Sequence, residues 1–452
     1  MEKNEKTTDL DRSIEKVTAG TSSTPSPRAH GSSPKPRSFG KRSFGRRDTP
    51  TVRGTARKVE DVIPPLEGNN IRIIPLGGVE EIGRNMTMIE FMGDIIVVDA
   101  GFQFKDEDTP GIDYILPNTK YLEDNKDRIK ALFITHGHLD HIGGIPFIID
   151  RIGYPKIYTR QFGAIMVQKR QDEFPHLKPL DIQIIEGNET ITCGSLKIKT
   201  FPISHTIPDS MGLIIETPHG NIVFIEDVRV DNMNGVPTDE EVEQYKRFKD
   251  MKTLLLTMDS TSIEKPGFSL SENVVVSNID KFIKDTKSRL IIATFASQVE
   301  RIIAIIQSAE KYGKKLVVEG RSMKSNIEII KQLKLVEVNN IIPLEDIENY
   351  PPDRIIMLVT GAQGEEFAAL MRIANKTHKY VRLKPTDTVL LSASVIPTNH
   401  KSVVNLKDNL YRSGAKIVTY LDSDIHASGH GNRDELKWIH QQIPYKFFIS
   451  LA

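Results

Sequence analysis

The pattern of hydrophobic and polar positions divides the chain near residue 271 into two regions of different architecture. Before that point, short apolar runs alternate with glycine turns, and this spacing predicts strands. The predicted strands are Ile71–Pro75, Ile95–Asp99, Leu132–Thr135, Leu196–Phe201 and Ile222–Asp227. Helical periodicity is sparse before Val242–Lys249. The first region is therefore predicted to be rich in strands.

After about Ser271, predicted helices and strands alternate. The series is helix Asn273–Thr286, strand Arg289–Thr294, helix Gln298–Tyr312, strand Lys315–Val318, helix Ser325–Leu333, strand Arg354–Thr360 and helix Glu365–Asn375. Alternation at this spacing is typical of a parallel sheet with helices on its faces. The chain is thus predicted to combine a strand-rich domain with a separate α/β domain.

The first 58 residues differ from the rest in composition and charge. They hold 14 Lys and Arg against 6 Asp and Glu, although the whole chain has 60 of each class. Residues 18–51 contain no Ile, Leu, Val or Met, so this tail cannot bury enough surface to fold and is predicted to be disordered. An Arg-Ser-Phe-Gly repeat lies within it, at Arg37–Gly40 and Arg42–Gly45. Its arginines can pair with phosphates and its phenylalanines can stack on nucleic-acid bases. The alternative is that the tail only increases solubility.

Length and composition favour a multidomain protein of a reducing compartment. With 452 residues and 38% hydrophobic content, the chain has room for two or three domains. Its single cysteine, Cys193, excludes an intrachain disulfide. No apolar run approaches the roughly 18 residues of a membrane span, and the N-terminus lacks the apolar segment of a secretory signal. A cytoplasmic protein without membrane contact is expected.

Four side chains with metal-ligand chemistry follow the predicted strand Ala131–Ile134. They are His136, His138, Asp140 and His141, and the glycines after them lead into a helical segment, Ile145–Ile152. Because a strand that ends in a loop projects its side chains at one point, these four are expected to converge. Imidazole and carboxylate are ligands for Zn²⁺ or Mn²⁺. His136 and His138 can face one cation while Asp140 and His141 face a second.

The spacing His-x-His-x-Asp-His after a strand resembles the signature of the metallo-β-lactamase superfamily, and the extended motif His136–Gly144 is similar to that of the ribonuclease J family. The resemblance implies two more ligands, His205 and Asp227, each at the end of a strand. Asp227 can contribute one oxygen to each metal. The preceding residue is Glu226, where the family usually has glycine. Asp99 is expected to lie behind the ligands and hold a ligand histidine or the metal loop.

Two further motifs resemble motifs A and B of the β-CASP group, the branch that acts on nucleic acids. They are Met258–Thr261 and His426–His430, each after a predicted strand. An Asp259–His426 pair would raise the pKa of the histidine and hold it as a general acid near the leaving 3′ oxygen. Both residues are therefore predicted to be catalytic, together with Asp140 and Asp227.

The predicted substrate contacts lie mainly in the α/β region. The loop Thr360–Glu365 precedes a predicted helix, and free backbone N–H groups at a helix start form an anion site. Glycine in such a loop lets a phosphate approach closely. Ser297 is added because it resembles a substrate-channel position of the ribonuclease J family. The full set of predicted substrate-binding residues is Ser297, Gly361, Gln363, Gly364, Ser428, Gly429 and His430.

The resemblance extends from about Ile71 to Phe448 and implies an α/β fold of defined architecture. A metallo-β-lactamase αββα sandwich core is interrupted by an inserted β-CASP domain. The predicted division is 1–65 for the basic tail, 66–265 for the first part of the sandwich, 266–415 for the β-CASP domain and 416–452 for the return to the sandwich.

The function that the resemblance implies is a ribonuclease with two divalent metal ions, Zn or Mn. It would have 5′→3′ exonuclease and endonuclease activity on single-stranded RNA, in mRNA decay and rRNA maturation. The metals would polarise the phosphate and activate water. Asp140 or Asp227 would orient that water, and His426 would protonate the leaving group. The sequence leaves open whether the protein forms a homodimer or higher oligomer and whether it binds other proteins of RNA decay.

The end of the chain departs from the family pattern. After Phe448 the family continues to a further ligand histidine, where this chain has Ala452, and the family's small C-terminal domain is absent. Either the chain is truncated or the second metal has one protein ligand fewer. Two alternatives therefore stay open: a β-CASP nuclease acting on DNA, and an RNA-binding protein with an impaired metal centre. A small-ester hydrolase fits least, because it would not need the inserted domain.

Overall fold

The computed structural model describes residues 63–104, 111–365, 368–396 and 399–451. The basic tail predicted at 1–65 lies almost entirely outside these residues, and so does Ala452, the position at which the family has a ligand histidine. Among the residues described, no helix is both long enough and apolar enough to cross a membrane.

The strands of the first region are short and closely spaced. In chain order they are β1 (Ile71–Gly77), β2 (Met86–Phe91), β3 (Asp94–Val98), β4 (Gln103–Phe104), β5 (Tyr114–Ile115), β6 (Ile129–Phe133), β7 (Ile157–Thr159), β8 (Ile182–Ile184), β9 (Thr190–Cys193), β10 (Leu196–Pro202), β11 (Met211–Glu216), β12 (Asn221–Ile225), β13 (Asn232–Met233), β14 (Val236–Pro237) and β15 (Thr253–Asp259). The helices of this region are α1 (Lys120–Asp124), α2 (Leu139–Ile142), α3 (Ile145–Ile148), α4 (Gln161–Asp172) and α5 (Asp239–Tyr245), with 3₁₀ turns at Lys126–Arg128 and Lys246–Phe248.

Longer helices dominate the second region. In chain order its elements are α6 (Glu272–Asp285), β16 (Leu290–Thr294), α7 (Val299–Lys311), β17 (Lys315–Glu319), α8 (Arg321–Gln332), β18 (Ile355–Val359), α9 (Ala369–Ala374), β19 (Thr388–Ser392), α10 (His400–Arg412), β20 (Lys416–Thr419), α11 (Arg433–Gln442) and β21 (Tyr445–Leu451). Two 3₁₀ turns, Leu344–Asn349 and Pro352–Arg354, lie between α8 and β18.

Two six-stranded sheets pack face to face and form the sandwich. Their strand orders are β1-β2-β3-β6-β7-β8 and β21-β15-β12-β11-β10-β9. Because successive side chains of a strand point to opposite faces, Ile96 and Val98 of β3 enter the core between the sheets, against Leu213 and Phe224 of the second sheet. The alternate residue Val97 enters a separate core on the outer face.

Helices cover both outer faces of the sandwich. Ile142 and Ile148, from α2 and α3, pack on the outer face of the first sheet. Tyr245 of α5 and Ile439 of α11 pack on the outer face of the second sheet, beside Ile225. The layer order is therefore helix, sheet, sheet, helix, which confirms the predicted αββα core.

The second region folds around a five-stranded sheet of order β17-β18-β16-β19-β20, in which every pairing is parallel. Both faces are buried, so a strand such as β18 is apolar throughout. The strand β20 pairs with β19 in this sheet, so the domain boundary predicted after residue 415 is too early. The return to the sandwich comes with α11 and with β21, which pairs in parallel with β15.

Several helices differ from the sequence-based predictions. α4 was missed because its buried side includes Gly163, Ala164 and Gln171, which do not form a stripe of large apolar residues. α10 and α11 were also missed. The helix predicted from Glu365 begins only at Ala369 as α9, after Gly364 in a left-handed conformation (φ +74°). The predicted helix start at the Thr360–Glu365 loop is therefore wrong, although residues 366 and 367 lie outside the described part.

Candidate metal centre

The metal-ligand loop follows the end of β6 and is fixed by backbone contacts to the segment after β3. Ala100 N donates to the carbonyl oxygen of His141 over 2.8 Å, and Gly144 N donates to that of Ala100 over 2.9 Å. The two segments approach so closely that a Cβ on Gly101 would lie 1.5 Å from the carbonyl oxygen of Asp140. Glycine is required at this position because any side chain would displace the loop.

Four side chains form the first ligand group. One ligand atom from each of His136, His138, His205 and Asp227 lies within 4.8 Å of the others. His138 Nδ1 lies 3.0 Å from His136 Nε2 and 3.1 Å from His205 Nε2. Asp227 Oδ2 lies 3.4 Å from the same two Nε2 atoms. Three imidazole nitrogens and one carboxylate oxygen therefore point at a common centre.

Hydrogen bonds on the outer side of the cluster set the tautomers of two of these histidines. His205 Nδ1 lies 2.8 Å from the carbonyl oxygen of Gly429, which can only accept, so His205 Nε2 presents its lone pair to the cluster. The Thr135 hydroxyl donates to Asp99 Oδ2 and so accepts from His136 Nδ1, 3.1 Å away. His136 Nε2 is then also a free lone pair that faces inward.

This donor set fits a resident divalent metal. Ligands at about 2.0–2.1 Å from a tetrahedral zinc are separated from one another by about 3.3–3.4 Å, close to the distances in this group. Burial lowers the pKa of His136 to about 4 and that of His205 well below its ordinary value, with neighbouring histidines adding to the effect. Both rings are therefore neutral, as metal ligation requires.

The second ligand group contains Asp140, His141 and Asp227. His141 Nε2 lies 3.3 Å from Asp227 Oδ1 and 3.7 Å from Asp140 Oδ2. Asp227 thus contributes one oxygen to each group. Burial alone would lower the pKa of His141, but the charges of Asp227, Asp140 and Asp99 outweigh it and raise that pKa well above its usual range. The carboxylates therefore favour positive charge at this position.

Asp99 supports the second group from behind. Its Oδ2 lies 2.8 Å from His141 Nδ1, and its two oxygens accept from the amide and hydroxyl of Thr135 over 2.8 and 2.7 Å. The side chain is fully buried at the end of β3, in a left-handed conformation (φ +58°). A carboxylate in this position orients the imidazole of His141 so that Nε2 faces the cluster.

Glu226, the residue that departs from the family pattern, is buried beside the second group. It lies with Asp99 and His141, each contributing one atom within 4.8 Å of the others. Burial is the first cause that raises the pKa of Glu226 well above its ordinary value, and the neighbouring charge of Asp99 is the second. The direction of this side chain, left open by the sequence, is therefore toward the outer side of His141.

Asp259 pairs with His430 and not with His426. Its Oδ2 lies 2.8 Å from His430 Nδ1, and the Nε2 of His430 lies 4.0 Å from Asp227 Oδ2, next to the metal cluster. Burial would lower the pKa of His430, but Asp259 and Asp227 raise it to about 10. The predicted Asp259–His426 pair is wrong because the motif holds two histidines four residues apart, and the second of them faces Asp259.

His426 has a different environment, set by a buried arginine. Arg301 donates to His426 Nδ1 over 3.0 Å, so the proton of the neutral ring is on Nε2, which lies 3.1 Å from Ser394 Oγ. Burial and the charges of Arg301 and Lys265 lower the pKa of His426 to about 3. A ring held neutral in this way is a hydrogen-bond donor at Nε2. The prediction that its pKa is raised for general-acid chemistry is therefore wrong.

The predicted substrate residues around His426 have mixed positions. Ser428 Oγ accepts from the amide of His430 over 3.2 Å, and the carbonyl oxygen of Gly429 is the outer partner of His205. Ser297 lies just beyond the end of β16, ahead of α7. The structure thus brings Gly429 and His430 to the metal cluster, with Gly429 acting through His205, while Ser428 contacts the backbone of His430.

The loop at Gly361–Gly364 makes hydrogen bonds and packing contacts within the α/β domain. The side-chain Nε2 of Gln363 donates to the carbonyl oxygen of Ser394 over 2.6 Å, and its Oε1 accepts from the backbone amide of Ile396 over 2.9 Å. Gly364 packs so tightly on α10 that a Cβ would lie 2.4 Å from the carbonyl oxygen of Ser402. These contacts position the Ser394 segment, so the effect of this loop on a substrate is indirect.

Two residues that contact the site were not singled out from the sequence. Asn85 ends the glycine-rich loop after β1, and its Nδ2 lies 3.0 Å from His141 Nε2. Its backbone amide also donates to the carbonyl oxygen of Asp140 over 3.0 Å. Arg301 lies in the first turn of α7, where a charged residue usually faces solvent, and nothing in the sequence indicated its complete burial.

Comparison with known proteins agrees with this geometry. The model of the ribonuclease J β-CASP domain matches residues 287–410, and that of the β-lactamase superfamily domain matches residues 95–262. Ribonuclease J of Mycoplasma pneumoniae is 37% identical over 383 residues, which cover 84% of this chain and 67% of the relative. The chain belongs to the ribonuclease J family.

Other members of the family show similar coverage. Ribonuclease J of Thermus thermophilus is 35% identical over 85% of this chain and 70% of its own length. Ribonuclease J2 of Bacillus subtilis is 33% identical over 84% and 69%, respectively. A crystal structure of an Enterococcus faecalis protein of unknown function matches with a TM-score of 0.61 at 18% identity, covering 84% of this chain and 93% of that one, and it supports the fold alone. Family membership supports a β-CASP ribonuclease that uses metal.

Proposed function

We propose that this chain is a ribonuclease with two metal ions that cleaves single-stranded RNA, by 5′→3′ exonuclease and endonuclease action. The observation that carries the proposal is the convergence of His136, His138, His205 and Asp227, with Asp140 and His141 beside them, next to the Asp259–His430 pair. Together with family membership, it supports phosphodiester hydrolysis. We expect the substrates to be those of mRNA decay and rRNA maturation, which corresponds to action in the cytoplasm.

The first group favours zinc, because three imidazoles and one carboxylate are a common zinc donor set, and manganese is the second choice. When bound, the two ions would supply Lewis-acid activation of the phosphate and of the attacking water. Asp227 and Asp140 would hold the ions and orient that water. Asp99 and Gly429 would keep the ligand histidines in the correct tautomer through the contacts described above.

We assign proton donation to the leaving oxygen to His430 in place of His426. Asp259 holds the ring of His430 with Nε2 toward Asp227, so that nitrogen would face a phosphate bound at the metal centre. His426 would donate a hydrogen bond from Nε2 to a phosphate oxygen, together with Ser428. The neutral state of His426 suits this role, because a neutral Nε2–H group donates a hydrogen bond without giving up its proton.

A cleavage assay on matched oligonucleotides tests the proposal. Metal-loaded protein is given single-stranded RNA or DNA of one sequence, with a 5′ monophosphate or a 5′ triphosphate, and the products are resolved by length. We expect RNA to be cut faster than DNA, and the 5′ monophosphate to favour stepwise release of nucleotides. Equal rates on DNA would favour the DNA nuclease, and tight RNA binding with zero turnover would favour the RNA-binding alternative.

A further inference from the structure

We propose that Glu272 is a positioning residue for RNA cleavage, which ties the metal-centre loop to His426 across the two domains. The inference rests on the proposed function, since it concerns the residues assigned to that reaction. Glu272 is the first residue of α6, and its side chain is only 11% exposed. It contacts two buried arginines, one from each domain.

Arg301 is the arginine on the β-CASP side. Its Nε and one terminal nitrogen donate to the two oxygens of Glu272, each over 2.7 Å. This two-point contact fixes the plane of the guanidinium. The other terminal nitrogen then points at His426 Nδ1, 3.0 Å away, and at the carbonyl oxygen of Ser392, 3.2 Å away. The carboxylate of Glu272 therefore sets the direction from which His426 is held.

Arg229 is the arginine on the metal side. It lies two residues after Asp227, and its backbone amide donates to the carbonyl oxygen of Ser204, the neighbour of His205, over 3.0 Å. Its guanidinium lies 3.6 Å from Glu272 Oε2, the same oxygen that Arg301 contacts. One carboxylate oxygen thus joins the loops that hold two metal ligands to the arginine that holds His426.

The burial of both arginines makes this carboxylate difficult to replace. Arg229 is 4% exposed and Arg301 is 0% exposed, so without Glu272 two like charges would share a buried site with less compensation. Among the ion pairs of the described residues, Glu300 reaches Arg229 over 3.2 Å but is not paired with Arg301, and its side chain is half exposed. Glu300 is therefore a matched control for Glu272.

The test is a double-mutant cycle between Glu272→Gln and His426→Ala, with Glu300→Gln as control. The readouts are the dissociation constant of metal-stripped protein for a short 5′-monophosphorylated RNA, and kcat of the metal-loaded protein. We expect Glu272→Gln to weaken binding about 10-fold and to lower kcat by about 10- to 100-fold. Both effects should largely vanish in the His426→Ala background, whereas Glu300→Gln should stay within about twofold of wild type.

Each outcome of the cycle decides the role of Glu272. Effects that stay the same in the His426→Ala background, or equal effects of Glu300→Gln, would overturn the inference. If Glu272→Gln does not fold, Arg301→Lys takes its place, because lysine keeps the charge but cannot reach Glu272 and His426 together. A wild type that binds RNA without cleaving it would contradict the proposed function, while the cycle on the dissociation constant would still test Glu272.

Discussion

His430 Nδ1 lies 2.8 Å from Oδ2 of Asp259, across 171 residues of sequence, and Asp259 also accepts from the amide of Thr261 over 2.8 Å. The carboxylate is 2% exposed, so its hydrogen bonds hold it in one orientation. His430 is therefore fixed with its second nitrogen toward Asp227. This arrangement predicts which histidine of the His426–His430 motif acts together with Asp259.

We expect Asp259→Asn and His430→Asn each to lower kcat on RNA by about 100-fold or more. The double variant should lose little more than either single variant, because the two residues act as a unit. His426→Asn should add to the effect of Asp259→Asn, since His426 is held by Arg301 and Ser394. Single-turnover cleavage of RNA measures the rate of the chemical step for each variant. Additivity for Asp259 with His430, and none with His426, would restore the pairing predicted from the sequence.

The two histidines of this motif illustrate what the sequence can and cannot specify. His136, His138, His205 and Asp227 each follow the end of a strand, so their convergence could be predicted from spacing and family resemblance. The choice between His426 and His430 could not, because both lie in one loop and the partner of each is set by packing between domains. The burial of Arg301 is likewise a tertiary effect.

Some elements of the fold could likewise be predicted from local sequence periodicity, whereas others depend on tertiary packing. The alternation of apolar strands and amphipathic helices after residue 271 predicted a parallel sheet, and the helices α6, α7 and α8 lie close to their predicted positions. The helix α4 was not predicted, because Gly163, Ala164 and Gln171 accompany Phe162 and Val167 on its buried side and weaken the apolar stripe.

Asp99→Asn should weaken metal binding in the second ligand group. The amide keeps the size of the side chain but removes the charge that holds Nδ1 of His141, and loss of such a support typically costs about 10- to 100-fold in metal affinity. Competition with a coloured chelator measures the change. Asp124→Asn, at an exposed carboxylate paired with Lys120, is the control and should have no effect. Unchanged affinity in Asp99→Asn would show that His141 is oriented by other contacts.

The two metals should differ in affinity. Among the residues that the structure describes, the first group has three histidines and Asp227, whereas the second has Asp140, His141 and a shared oxygen of Asp227. A metal with fewer protein ligands keeps water in its open positions and binds more weakly. Calorimetric titration of the stripped protein should therefore resolve one tight site and one labile site, and activity should need excess metal. Two equally tight sites would mean that another residue completes the second group.

The basic tail should add affinity for RNA without sequence preference. Deletion of residues 1–58 removes 14 Lys and Arg. Each lost contact to a single-stranded phosphate should flatten the slope of log K against log salt by about 0.7. Fluorescence anisotropy over a range of salt concentrations measures this slope for both proteins. If the slope does not change on deletion, the tail makes no contact with RNA phosphates and only aids solubility.

Restoration of RNA cleavage by metal is the measurement that tests the central claim most directly. Chelator-stripped protein is incubated with 5′-labelled, 5′-monophosphorylated RNA while Zn²⁺ or Mn²⁺ is added back, and bound metal is quantified in the same samples. We predict no cleavage by the stripped protein, cleavage that rises as the second metal equivalent binds, and a loss of orders of magnitude in His136→Ala. Cleavage that persists without metal, or a fully loaded protein that leaves this RNA intact, would contradict the account.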